Sequence, residues 1–130
     1  MIEARVFSLR SREEADQYSD ALALQVRAMS SPHPVLCADH RPVRIYPQAV
    51  TDRLIELFVE MNTRLERVAI LVSQTNATLF LQLQRIVREA GYENRRVFHE
   101  PEDALPHLGA VLDADELASA RAFLAEYTPG

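Results

Sequence analysis

The chain has 130 residues, of which 48% are hydrophobic and 25% are charged. This is the size and composition of a single globular domain, and it excludes a disordered chain. The formal net charge is −5, and such an acidic chain is poorly suited to bind nucleic acid or an anionic membrane. All 14 basic residues are arginine, so phosphate-loop binding and Schiff-base catalysis, both of which need lysine, are excluded.

Taken in chain order, the hydrophobic pattern alternates between strands and helices. Runs of β-branched, aromatic or wholly apolar residues predict four strands, at residues 2–8, 35–38, 67–72 and 96–99. The two middle runs are almost entirely apolar, which is typical of strands that are buried on both faces of a parallel sheet. We expect the third strand to be central.

Helices are predicted between and after these strands from their caps and apolar stripes. Ser11 and Glu14 match a capping box for the first helix, and Pro47 suits the first turn of the second. Thr75 or Asn76 can cap a third helix that ends at Gly91. Two more helices are predicted to begin at the acidic segment 100–103 and at the Asp113–Glu116 capping pattern.

This order of elements predicts an α/β fold class. Strands that alternate with helices imply right-handed crossovers, and therefore a single-domain, mainly parallel four-stranded sheet with helices on both faces. We expect the domain to cover residues 1–127 and the C-terminus to be frayed at 128–130. No apolar run is long enough to span a membrane, and the first residues carry no apolar signal core. We therefore expect a soluble, cytoplasmic protein.

Polar side chains follow the predicted strands where each strand ends. In an open parallel sheet, ligands bind beyond the carboxyl ends of the strands, at a topological switch point. The candidate residues for binding an anion or a partner are Asp39, His40, Arg41, Arg44, Ser73, Thr75 and Asn76. Arginine forks and the N-terminus of the third helix would hold an anion or a phosphopeptide. The alternative is that each residue only caps a helix or solvates a loop.

No catalytic constellation is found in the sequence. Cys37 is the only cysteine and lies within an apolar strand, and Ser73 lacks the glycine of a nucleophile elbow. A glycine-rich dinucleotide fingerprint is missing, and the four histidines lack close metal-ligand spacing. We therefore predict no catalytic residue, no metal, no cofactor and no enzyme activity.

The third helix and the fourth strand offer candidate interaction residues. Phe80 and Leu81 point about 100° apart on a helix, so one of them is expected to face away from the sheet and mark a partner surface. The alternative is a wide face buried beneath the last two helices. Arg95 and Arg96 can pair with acids across the sheet edge or bind an acidic partner, and we expect the structural pairing.

Four segments of the chain carry a family resemblance: 68–72 (VAILV), 84–88 (QRIVR), 94–98 (NRRVF) and 102–108 (EDALPHL). They are similar to the C-terminal half of the SpoIIAA-like branch of STAS domains. The resemblance implies a small α/β module that has no enzyme activity and acts by protein–protein contact in bacterial signalling. Such modules are switched by phosphorylation of a Ser or Thr at the start of the helix after a central strand. In this chain, the matching turn after Asp39 has no Ser or Thr before Thr51.

Three functional hypotheses follow. The first is a regulatory module whose partner is a protein, with a homodimer as one form of that interaction and with neither nucleic acid nor a membrane as a partner. The second is a binder of, or an enzyme for, a small anionic ligand held by His40, Arg41, Arg44 and Asn76. The third is a degenerate receiver-like domain, which would carry an acidic pair after the first strand, whereas residues 8–10 supply none.

Overall fold

The strands of the protein pair into one parallel sheet. In the computed structural model, which describes residues 1–128, the strands are β1 (Ile2–Arg5), β2 (Val35–Asp39), β3 (Arg67–Leu71) and β4 (Arg95–Phe98). Their order in the sheet is β1-β2-β3-β4, and each neighbouring pair is parallel. The predicted α/β class with a parallel four-stranded sheet is confirmed.

The helices begin close to the predicted residues. They are α1 (Arg12–Ala28), α2 (Gln48–Met61), α3 (Ala77–Ala90), α4 (Pro101–Gly109) and α5 (Ala114–Ala125). The side chains of Ser11, Asn76 and Asp113 each accept a hydrogen bond from a backbone N–H in the first turn of α1, α3 and α5. Gly91 ends α3 with a φ of 76°, a left-handed conformation that favours glycine.

The strand order arranges the helices in two layers. α1, α2 and α3 cover one face of the sheet. Each of them connects a strand to its neighbour on the same side, and right-handed crossovers that all move the same way across the sheet place their helices on one face. α4 and α5 cover the other face. Since the order runs without reversal through residues 1–128, this part of the chain has no topological switch point, contrary to the expectation for the ligand site.

Each face of the sheet has its own apolar core. α1–α3 cover alternate strand residues, among them Leu36 and Ile70. α4 and α5 cover the intervening residues, among them Cys37 and Leu71. The apolar runs at 35–38 and 68–72 are buried throughout, so the two central strands are sandwiched as predicted.

The ends of the chain add two observations. Within residues 1–128, no helix combines the length and the apolar character that crossing a membrane requires. Of the segment predicted to be frayed, Thr128 is exposed, and Pro129 and Gly130 lie outside the described residues.

Candidate functional site

A cleft of about 690 Å³ lies beyond the carboxyl ends of β2 and β3. The loop after β2, the turn after β3 and the first turn of α3 form its walls, and Tyr127 contributes from beyond α5. The cleft brings together five of the predicted site residues, which are Arg41, Arg44, Ser73, Thr75 and Asn76. Asp39 and His40 do not line it.

Asp39 lies beneath the cleft in an ionic cluster. Its carboxylate accepts hydrogen bonds from Arg41 Nε at 2.8 Å, from Arg41 Nη2 at 3.0 Å and from Arg5 Nε at 2.9 Å. Burial by itself raises the pKa of Asp39, but the hydrogen bonds from Arg41 and Arg5 outweigh it and hold the pKa below its ordinary value. The carboxylate is therefore ionised at neutral pH and is neutralised by arginine on two sides.

The same arginines hold the C-terminal end of α5. Arg5 Nη2 donates to the carbonyl oxygen of Phe123 at 2.6 Å, and Arg41 Nη2 donates to that of Leu124 at 2.7 Å. Aromatic rings cover both guanidinium groups, with the Phe123 ring 4.3 Å from Arg5 Cζ and the Tyr127 ring 5.3 Å from Arg41 Cζ. The charge of Arg41, predicted to hold an anion, is thus already matched within the protein.

His40 belongs to the opposite face of the sheet, because successive side chains of an extended chain alternate in direction. It is buried among α1, α2 and the sheet, and its Nδ1 shares a hydrogen bond of 2.6 Å with the Tyr46 hydroxyl. Burial lowers the pKa of His40 to about 4, so the imidazole is neutral at pH 7. The prediction that His40 contacts a ligand at the strand ends is wrong.

The remaining predicted residues that line the cleft are Asn76, Ser73, Thr75 and Arg44. The Asn76 side chain caps α3, and its Nδ2 donates to the carbonyl oxygens of Val43 at 3.2 Å and Arg44 at 2.7 Å. Ser73 Oγ and Thr75 Oγ1 lie 3.2 Å apart. The Arg44 side chain is exposed and forms no ion pair with the described residues.

The candidate interface residues on α3 differ in exposure. Leu81 is 66% exposed. Phe80 is half-buried against the core of the α1–α3 face and stacks on the His99 ring, with the centroids 4.0 Å apart. The alternative that the last two helices bury this face is wrong, because α4 and α5 pack on the other side of the sheet.

The expected pairing of Arg95 and Arg96 with acids is not found. Arg95 is buried and donates from Nη1 to Asn62 Oδ1 at 2.7 Å and from Nη2 to the Phe58 carbonyl oxygen at 3.0 Å. Arg96 is exposed. Neither side chain forms an ion pair within residues 1–128, because the carbonyl end of α2 and the Asn62 amide take the place of a carboxylate for Arg95.

Two residues with nucleophilic side chains are enclosed in the interior. Burial raises the pKa of the Cys37 thiol to about 12, so the thiol is protonated at neutral pH. Thr51, the first hydroxyl residue after the turn that the STAS resemblance points to, is buried, and its Oγ1 donates to the Gln48 carbonyl oxygen at 2.8 Å. Within residues 1–128, no cluster of three His, Cys, Asp or Glu side chains is placed to hold a metal ion.

Several contributors to the cleft were not predicted. Gln82 fixes the loop after β2, since its Oε1 accepts from the Tyr46 N–H at 3.0 Å and its Nε2 donates to the Tyr46 carbonyl oxygen at 2.8 Å. Arg5 and Tyr127 come from the two ends of the chain. No local pattern marks these residues, because each acts on a segment that is distant in sequence. The exposed Ile45, 58% accessible, was visible as an apolar residue in a polar loop.

Comparisons of this chain with protein-family models, with curated proteins and with solved structures found no match. The similarity to STAS domains therefore rests on the sequence segments that carry it.

We predict that Asp39→Asn destabilises the protein by about 3 kcal/mol or more, because removing one partner of a buried ion pair leaves the other charges uncompensated. Urea unfolding at neutral pH measures the change. Asp52→Asn is the matched control, since the Asp52 side chain is exposed and, within residues 1–128, accepts only from Gln48 on the same helix. It should change the free energy of unfolding by less than about 0.5 kcal/mol. Equal effects of the two substitutions would contradict a buried ionic anchor.

We predict that the free energy of unfolding falls by about 3 kcal/mol through His40 as the pH drops from about 6.5 to about 4. In this window the unfolded chain protonates the histidine, whereas folded His40, with its pKa lowered to about 4, stays neutral. Above pH 6.5 both states are neutral and the contribution is constant. Urea titrations at several pH values in this range give the free energy of unfolding as a function of pH. This free energy should change less with pH in His40→Gln than in the wild type. His33→Gln, which alters an exposed histidine, should keep the pH dependence of the wild type. An identical pH dependence for both variants would refute the assignment.

Proposed function

We propose that this protein is a non-catalytic, STAS-like regulatory module that binds a protein partner beside the cleft. The observation that carries the proposal is the exposure of two large aliphatic side chains, Ile45 at 58% and Leu81 at 66%. Ile45 and Thr78 line the cleft together, and Leu81 follows Thr78 by three residues on α3, which puts both on one helix face. Ile45, Thr78 and Leu81 are named the α3 surface below.

The α3 surface is held in place before any partner arrives. Asn76, the N-cap of α3, and Gln82 on α3 bind the backbone of residues 43–46 through four hydrogen bonds. A binding loop that is already ordered loses less conformational entropy on association than a mobile one. This favours recognition of a preformed shape.

Charge at the same place indicates the chemistry of the partner. Arg44 precedes Ile45, is exposed and lines the cleft. A partner with an apolar centre and a carboxylate at its edge would complement the α3 surface and Arg44 together. Interfaces of this kind combine an apolar core with a polar rim.

The interior chemistry supports binding rather than catalysis. Three groups of β2 and the residue after it are occupied or enclosed: Asp39 is neutralised by arginine, His40 is buried and neutral, and Cys37 is protonated.

We predict that Ile45→Glu and Leu81→Glu each weaken the interaction at least about tenfold, because a buried anchor at the centre of an interface contributes at least about 2 kcal/mol. The partner is first captured from a lysate with the wild-type protein, then purified and titrated by calorimetry. Leu24→Glu is the matched control, since Leu24 is 62% exposed on α1, and it should leave the affinity unchanged. A partner that binds all three variants equally would refute the α3 surface, and light scattering distinguishes self-association from a foreign partner.

A second candidate function is the binding of a small anion in the cleft. No carboxylate is among the described residues that line it, whereas Arg44 and the hydroxyls of Ser73, Thr75 and Thr78 are. The N-terminus of α3 adds backbone donors and the positive end of the helix dipole.

We predict for this candidate that a phosphorylated or carboxylated metabolite raises the melting temperature, with about 2.7 kcal/mol of stabilisation at one hundred times its dissociation constant. Arg44→Ala should abolish the shift without changing the melting temperature of the free protein. A screen of such metabolites that produces no shift would eliminate this candidate and leave the protein-binding proposal intact.

A further inference from the structure

β4 is an edge strand whose free side offers backbone hydrogen-bonding groups. The Asn94 and Phe98 carbonyl oxygens accept from Val68 and Val72 on the side of β3. Because backbone groups alternate in direction along a strand, the N–H and C=O of Val97 point away from β3. An unpaired edge of this kind is a template for another extended chain.

A groove of about 410 Å³ runs between this edge and α3. Its walls are Gln84, Val87 and Arg88 on α3 and the four residues of β4. Val87 and Val97 are half-buried and pack against the core of the α1–α3 face, so they give the groove an apolar lining. The groove is separate from the cleft at the strand ends, with which it shares no residue.

The groove is basic although the chain as a whole is acidic. Arg88, Arg95 and Arg96 are among the seven lining residues, and no acidic side chain is, whereas the net charge of the protein is −5. Arg88 and Arg96 are exposed and form no ion pair within residues 1–128. The groove therefore carries positive charge that the described residues do not neutralise.

Arg95 adds a buried cation to this wall. Its side chain is held by the Asn62 amide and the Phe58 carbonyl oxygen and covered by the Phe58 ring, which lies 4.6 Å from Cζ. Burial lowers the pKa of Arg95 to about 10, which leaves it charged at pH 7.

We infer that β4 is a docking edge, on which an extended acidic segment of a partner protein adds to the sheet as a fifth strand. Its backbone pairs with Val97, its carboxylates lie beside Arg96, and Arg88 on α3 adds to the positive potential of the edge. This mode draws affinity from main-chain hydrogen bonds and specificity from alternate side chains.

The two faces of the sheet at β4 define the sequence that the added partner segment should have. Val97 faces the α1–α3 layer, whereas Phe98, and with it Arg96 by alternation, faces the α4 layer. An added strand therefore places one set of side chains against Val87 and Val97 and the other set beside Arg96. Alternating apolar and acidic residues fit this arrangement, over about four to six residues for a strand the length of β4.

A second copy of this chain fits the edge poorly. Two β4 strands paired around a two-fold axis would bring Arg88 and Arg96 of one copy close to the same residues of the other. Like charges placed across neighbouring strands are destabilising. Charge therefore selects an acidic partner over self-association at this edge.

The test uses a fluorescein-labelled peptide, Gly-Glu-Val-Asp-Val-Glu-Gly, and fluorescence polarisation with the complete protein. We expect binding that weakens as salt is added, and a loss of affinity of at least about tenfold for the double variant Arg88→Glu/Arg96→Glu. The double variant Arg10→Glu/Arg27→Glu has the same change of net charge. Both of its residues are exposed and are distant in sequence from the residues of the groove, so it should bind the peptide as the wild type does. No binding, or equal weakening in both double variants, would overturn the proposal.

A second measurement separates strand pairing from attraction between charges and leaves the protein unaltered. N-methylation of the peptide amides that would face β4 removes its donors and should weaken binding at least about tenfold. In amide-exchange spectra, the Val97 N–H should become protected when the unmodified peptide is bound. Unchanged affinity of the methylated peptide, an unprotected Val97 N–H, or a wild-type dimer that dissociates when Arg88 and Arg96 are replaced would each overturn the proposal.

Discussion

A single buried carboxylate ties both ends of the chain to the centre of the sheet. Asp39 ends β2, and the arginines that bind it, Arg5 and Arg41, also donate to the last carbonyl oxygens of α5. Carbonyl oxygens in the last turn of a helix carry its negative partial charge, so guanidinium groups stabilise them. The only fully enclosed residues of α5 are Ala120 and Leu124. The position of the last helix therefore depends on this ionic cluster as well as on apolar packing.

The cluster also decides which charges are left for other molecules. Arg41 is matched by Asp39 and its cation is covered by Tyr127, so it contributes shape to the cleft but little free charge. Arg44 at the strand ends and Arg88 and Arg96 at the sheet edge stay exposed. The two proposed binding surfaces lie at different borders of one sheet, which would suit a module that connects partners. Neither surface needs a reactive group.

Local chemistry made most of the fold predictable. Caps such as Ser11 and Asn76 and the left-handed Gly91 act within a few residues of their own position, so the sequence displays them directly. The candidate site was predictable only in part. Asp39 and Arg41 were predicted as contacts for an anion or a partner, but their role depends on Arg5, which is 34 residues from Asp39, and on an α5 carbonyl that is 83 residues from Arg41. No short pattern encodes such contacts.

The amino-acid sequence by itself determined the order of strands and helices, the burial of the two central strands and the lack of lysine chemistry, because these follow from residue type and short-range periodicity. Only the tertiary structure decided that His40 is enclosed and neutral, that Arg95 lies without a carboxylate beside it, and that β4 is left at an edge. The physical reason is that the charge state and accessibility of a polar group depend on its neighbours in space. Those neighbours are brought together by the packing of helices on the sheet.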